Sequence, residues 1–108
     1  MSVKIISTPL RITAFLSGEI DHHNAVHIRE SIDDAVEKKC PKILRIDFSD
    51  VTFMDSSGVG LVMGRYKKIK DYGGKIELIN MSQYIYKVMK LSGIEKIANI
   101  IQKEMQKK

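Results

Sequence analysis

Apolar positions along this chain alternate between a period of two and a period near 3.6, and the switches between them mark the elements. Val3 to Ile6 reads as a short apolar strand ended by the turn signal Ser7-Thr8-Pro9. Leu10, Ile12, Ala14 and Leu16 alternate with Arg11, Thr13, Phe15 and Ser17, which predicts a second strand. Gly18 to His23 reads as a polar loop, and Asn24 as the N-cap of a helix with the stripe Ala25, Ile28, Ile32, Ala35 and Val36. Cys40-Pro41 closes that helix, because the residue before a proline is pushed out of the helical region. Ile43, Leu44, Ile46 and Phe48 crowd together as in a strand buried on both faces. Val59, Val62, Met63, Tyr66 and Ile69 then mark a helix stopped by Tyr72-Gly73-Gly74, and Lys75 to Ile79 a further strand. Ser82 caps a helix carrying Ile85, Val88, Met89 and Leu91, which ends at Ser92-Gly93. Ile97, Ile100 and Ile101 fit either an edge strand or a helix start.

Strands alternating with helices predict an α/β fold: one domain over residues 1–108, with a mixed sheet of four to five strands and three to four helices. In open sheets of this kind functional groups gather beyond the carboxyl ends of the strands. Asp21-His22-His23 and Asp55-Ser56-Ser57 both follow strands, so both are expected on one face of the domain.

Composition narrows the function. The single cysteine, Cys40, excludes an intramolecular disulfide and a cysteine-rich metal site. The N-terminus lacks the sustained apolar run of a signal peptide and nothing approaches a membrane span, so a cytoplasmic protein without a membrane partner is expected. The formal charge is +5, with clusters at Lys67, Lys68 and Lys70 and at Lys103, Lys107 and Lys108. Aromatic residues are only 6% and no nucleic-acid-reading motif is present, so direct nucleic-acid binding is not expected. Solvated helix surfaces and an acidic protein partner account for the lysines.

The segment Phe53-Met54-Asp55-Ser56-Ser57-Gly58-Val59-Gly60-Leu61 carries the candidate chemistry. It places two hydroxyls where a strand gives way to a helix, and a helix N-terminus favours negative charge. A phosphate on such a serine is tolerated by its own fold and opposed by a docked partner. One of the two hydroxyls is expected to cap the helix; serine propensity does not choose between them. Ser56, Gly60, Gly64 and Lys67 recur at about one helical turn and form a face with almost no bulk. Glycine inside a helix costs about 1 kcal/mol against alanine, so two on one face suggest a flat docking surface, with Leu61 off the buried stripe as an apolar contact.

Enzymatic readings fare worse. Asp21, His22, His23 and Asp55 offer triad partners to a serine hydrolase, but a nucleophile elbow needs a glycine two residues before the serine, and Phe53, Met54 and Asp55 supply none. A metal site at Asp21, His22 and His23 has no second ligand cluster. No phosphate-cradling glycine loop is present, so any phosphoryl group is delivered by another protein. A small-ligand-binding domain remains the other alternative.

Gly18-Glu19-Ile20-Asp21-His22-His23-Asn24-Ala25, together with the serine segment running into Gly64-Arg65-Tyr66-Lys67, strongly resembles the anti-anti-sigma factors, single-domain members of the STAS superfamily. The paired histidines and the Gly-Arg-Tyr-Lys run look most like the sporulation branch, the anti-sigma F factor antagonists; general-stress antagonists using the same switch are the runner-up. The resemblance implies a regulatory binding protein, not an enzyme. It would bind an anti-sigma factor that is also a serine kinase, release the sigma factor, and be inactivated by phosphorylation at Ser56. A serine phosphatase would reset it. ATP and magnesium would belong to the kinase, leaving the chain without a cofactor of its own. The implied partner-binding residues are Asp21, His22, His23, Asp55, Ser57, Gly58, Gly60, Leu61, Gly64 and Lys67. After Gly93 the chain is short for the family, so a terminal helix would be curtailed.

Overall fold

The sheet runs β1-β2-β3-β4-β5 in chain order, with only the first pair antiparallel. The computed structural model describes residues 2–101. The strands are β1 (Ser2–Ser7), β2 (Arg11–Ile20), β3 (Ile43–Met54), β4 (Lys75–Ile79) and β5 (Asn99–Ile101). The helices are α1 (His22–Lys39), α2 (Ser56–Asp71) and α3 (Gln83–Leu91), and a 3-10 turn at Ile94–Lys96 leads into β5. Ile100 and Ile101 thus belong to a parallel edge strand, which resolves the open choice at the end of the chain. The expected curtailed helix and the lysines at 103, 107 and 108 fall outside the described residues.

Alternation builds the core. Ile12, Ala14 and Leu16 of β2, Leu44, Ile46 and Phe48 of β3, and Ile76 and Leu78 of β4 are buried in one apolar cluster with Ile28, Ile32 and Val36 of α1. The odd-numbered positions are more polar: Arg45 meets Glu77 across the β3–β4 pair at 2.7 Å, and Asp47 accepts from Ser49 and Asn80. β3 is therefore covered on both faces over Ile43 to Phe48, as its apolar crowding suggested, but its second face is polar, with Asp47 buried and Arg45 half-buried.

Two boundaries and one helix face differ from the sequence expectation, each for a tertiary reason. Gly18, Glu19 and Ile20 continue β2 instead of forming a loop. Register shifts between Phe15 and Ser17 and between Gly18 and Glu19, with Gly18 at φ 84°, let the strand keep pairing with β3 as far as Ile20 opposite Met54. α1 consequently begins at His22 and its cap is Asp21, not Asn24; the Asp21 carboxylate accepts from the Asn24 N–H at 2.8 Å. The Asn24 side chain instead donates to the Glu19 carbonyl at 3.0 Å and clips the helix to the strand.

The third difference is the rotation of α2. Its buried positions are Gly58, Leu61, Val62, Arg65 and Ile69, because the helix packs on α1 as well as on the sheet. Leu61 is 4% exposed and Met63 is 44% exposed, so the expected roles of these two side chains are exchanged. Leu91, read as part of the α3 stripe, is also exposed, whereas Ile85 and Met89 are buried.

Urea unfolding tests this rotation. Leu61→Ala is expected to cost about 2–5 kcal/mol, as for a core leucine, and Met63→Ala to stay within about 0.5 kcal/mol of the parent.

Candidate functional site

The pairing of Ile20 with Met54 sets the N-termini of α1 and α2 side by side at the carboxyl ends of adjacent parallel strands. The Asp55 N–H donates to the Ile20 carbonyl at 3.2 Å, tying the two turns together. Each turn is capped by its aspartate. Asp55 accepts from the Ser57 N–H at 2.8 Å, as Asp21 does from Asn24. The expectation that a serine caps α2 is thus corrected: aspartate holds the position before the helix, and both serines lie inside its first turn. Among the described residues neither serine hydroxyl has a recorded hydrogen bond. Ser56 is exposed and Ser57 half-buried.

The turn is braced from beneath. Gly58 sits against the Met54 side chain so closely that a Cβ at that position would collide with it. The Tyr84 hydroxyl, from the first turn of α3, donates to the Met54 carbonyl at 3.2 Å. Gly58 is therefore a packing residue, and Leu61 is a core residue that reaches the surface only at the floor of the groove between α1 and α2. Gly60 and Gly64 are different: nothing lies within 4 Å of the Cβ either would carry, so this face of α2 is not closed against its own sheet.

That face forms one side of a groove of about 330 Å³ between α1 and α2. Ser57, Gly60 and Gly64 line it from α2 and His22, Val26 and Arg29 from α1, over a floor that includes Leu61. Two ion pairs hold the walls in place. Arg65 meets Asp33 through Nε–Oδ1 at 2.7 Å and Nη2–Oδ2 at 3.2 Å; the first is an ionic contact without hydrogen-bond geometry, the second a hydrogen bond. Lys68 donates to Glu37 at 2.6 Å. Burial pulls the Arg65 guanidinium below its ordinary pKa, Asp33 opposes that shift, and nearby Arg29 adds to it. The hydrogen bond to Glu37 raises Lys68. Lys70 lies 5.7 Å from the Tyr66 ring centre, while Lys67 is exposed.

Asp21, His22, His23, Asp55, Ser56 and Ser57 thus gather at one pair of helix starts, Gly60 and Gly64 follow along the groove, and Lys67 lies apart, exposed roughly 16 Å along α2 from its first residue. His22 faces the α2 groove, and His23 lies with His27 and Glu30 around a second, open depression. Val26 and Arg29 went unnoticed in the sequence. With α1 started at Asp21, the spacing His22, Val26, Arg29 would have placed them on one helical face.

Chemically, the arrangement offers an exposed hydroxyl at a helix start, where backbone N–H groups favour a phosphate, with the Asp55 carboxylate as the opposing charge. No serine–histidine hydrogen bond of the kind a triad uses is recorded among the described residues. Among the same residues no group of three or more His, Cys, Asp or Glu is arranged to hold a metal ion, and no helix is long and apolar enough to cross a membrane.

Comparison with known proteins gives a consistent picture. The chain matches the STAS domain over residues 4–106. It is 33% identical over 90 residues to an anti-sigma F factor antagonist of Paenibacillus polymyxa, covering 83% of this chain and 77% of that protein. An anti-sigma-B factor antagonist of Bacillus subtilis is 34% identical over 85 residues, covering 79% and 76%. Among solved structures, the anti-sigma factor antagonist SpoIIAA in its unphosphorylated form superposes with a TM-score of 0.80 at 31% identity, over 97% of this chain and 92% of that one. The phosphorylated form of the Bacillus protein superposes at 0.73 and 31%, over 97% and 96%.

The two kinds of glycine in α2 should respond oppositely to alanine. Gly58→Ala is expected to destabilise by about 1–3 kcal/mol through overpacking on Met54. Gly60→Ala should stabilise by up to about 1 kcal/mol through helix propensity alone. Thermal unfolding midpoints of the two variants check the contrast.

Proposed function

The chain belongs to the STAS domain family, and on that premise we propose that it is an anti-sigma factor antagonist switched by phosphorylation at Ser56. One observation carries the choice of residue. Ser56 is the exposed first residue of α2, with no hydrogen bond recorded for its hydroxyl, on a turn already fixed by Asp55, Met54 and Tyr84. Ser57 is half-buried beside it and lines the groove. The unphosphorylated protein docks on an anti-sigma factor that is also a serine kinase and so frees the sigma factor. That kinase uses its own ATP and magnesium to phosphorylate Ser56, the complex separates, and a serine phosphatase restores the hydroxyl. The chain acts by binding and has no cofactor or catalytic residue of its own.

The physical basis is charge on a fixed surface. A phosphoserine adds roughly −1.5 to −2 charge at pH 7. One unit of it facing a partner carboxylate at about 4 Å costs on the order of 4 kcal/mol at an effective dielectric near 20. The likeness to both the unphosphorylated and the phosphorylated SpoIIAA structures supports a switch that leaves the fold in place.

Similar identity to F-type and B-type antagonists supports two branches of this reading, sporulation and general stress. They differ in which kinase accepts the chain.

Intact-protein mass after incubation with MgATP and each purified anti-sigma kinase of the source organism tests the proposal. Wild type and Ser57→Ala should each gain one phosphate from one kinase, and Ser56→Ala none. Phosphate retained on Ser56→Ala, or gained by none of the three, would overturn it.

A further inference from the structure

We propose that Arg29 anchors an acidic side chain of the docking partner in the groove between α1 and α2; this rests on the docking reading above and gives it a point of attachment. Two guanidinium groups border the groove, and their situations differ. Arg65 is buried and its charge is taken by Asp33 at 2.7 Å and 3.2 Å. Arg29 is exposed, has no ion pair or hydrogen bond recorded among the described residues, and lies close enough to Arg65 to disfavour its protonation. Asp33, one helical turn on from Arg29, is already engaged by Arg65.

The rest of the lining points the same way. Val26, Gly60, Gly64 and Leu61 give the groove an apolar, low-relief interior, and His22 at its mouth is a hydrogen-bonding group. Lys67 follows Gly60 and Gly64 along the exposed face of α2. The charged side chains lining the groove are Arg29 and Arg65, so an arginine or lysine of the partner inside it would meet like charge, whereas the carboxylates of Asp21 and Asp55 stand at the helix starts and accept from backbone N–H groups there. A glutamate or aspartate flanked by small apolar residues fits, because a guanidinium pairs with a carboxylate through two parallel hydrogen bonds.

The proposal also links docking to the switch. Ser57 lines the groove, so a phosphate on the preceding Ser56 would stand at its mouth and present a second anion there. The partner's carboxylate and the phosphate would then repel each other across the groove.

Calorimetric titration of the kinase that phosphorylates the wild type into wild type, Arg29→Lys, Arg29→Gln and Arg29→Glu, at low and high salt, tests this. Because Arg29 has no ion pair or hydrogen bond among the described residues and stands beside the like charge of Arg65, none of the three variants is expected to melt below the wild type. Arg29→Gln should weaken binding about 10- to 100-fold. Arg29→Glu should weaken it further, Arg29→Lys should retain most of the affinity, and the salt dependence should flatten in the Gln variant. Equal affinity for wild type, Arg29→Gln and Arg29→Glu would overturn the role of Arg29 while leaving the docking reading intact. A loss in Arg29→Lys as large as in Arg29→Glu would overturn the charge argument. Absence of binding by the wild type would overturn the docking reading and this proposal with it.

Discussion

The contact of Met54 with Gly58 is the constraint on which the rest of the site depends. A side chain at position 58 would hold α2 away from the end of β3, and no other residue type leaves the helix resting directly on the methionine. Once the helix is seated there, Asp55 reaches the Ser57 N–H and Ser56 turns outward as the first helical residue. The neighbouring turn is fixed by the same geometry, since the Asp55 N–H bonds Ile20 and Asp21 caps α1 alongside. Two helix starts, two carboxylate caps and one exposed hydroxyl therefore form a single rigid rim.

Rigidity at this rim suits a signal written as charge. The Tyr84 bond ties α3 to Met54 at the end of β3, directly beneath the start of α2, and the Arg65–Asp33 and Lys68–Glu37 pairs fix α2 against α1 along its length. A helix start that already tolerates an anion has little reason to move when a phosphate arrives, so the phosphate's effect is concentrated on whatever docks there. The α1–α2 groove adds an attractive counterpart to that proposed signal: the exposed Arg29, which has no ion pair among the described residues.

Much of this was legible from sequence because local signals agreed with the fold. The alternation in β2, the helix stop at Tyr72-Gly73-Gly74 and the Ser82 cap all reappear, and the motif around Asp55-Ser56-Ser57 identified the family. The misses share one cause, interactions between residues far apart in the chain. β2 runs on through Gly18 to Ile20 because β3 absorbs the register shifts, which moved the start of α1 from Asn24 to Asp21 and hid the groove residues Val26 and Arg29. Arg65 could not be read as buried, because the carboxylate that permits it, Asp33, is 32 residues away. Leu61 was displaced from the core reading for the same reason: the second surface that α2 packs against is α1. Gly58 and Gly60 look alike in sequence and are opposite in space, one closed by Met54 and one open.

The central claim is that negative charge at the start of α2 decides docking while the fold stays as it is. Calorimetric titration of the anti-sigma kinase into the unphosphorylated protein and into the purified Ser56-phosphorylated protein measures that most directly. The account predicts a dissociation constant about a thousandfold weaker for the phosphorylated form, the equivalent of one unscreened carboxylate contact at an effective dielectric near 20. Equal dissociation constants for the two forms would contradict it.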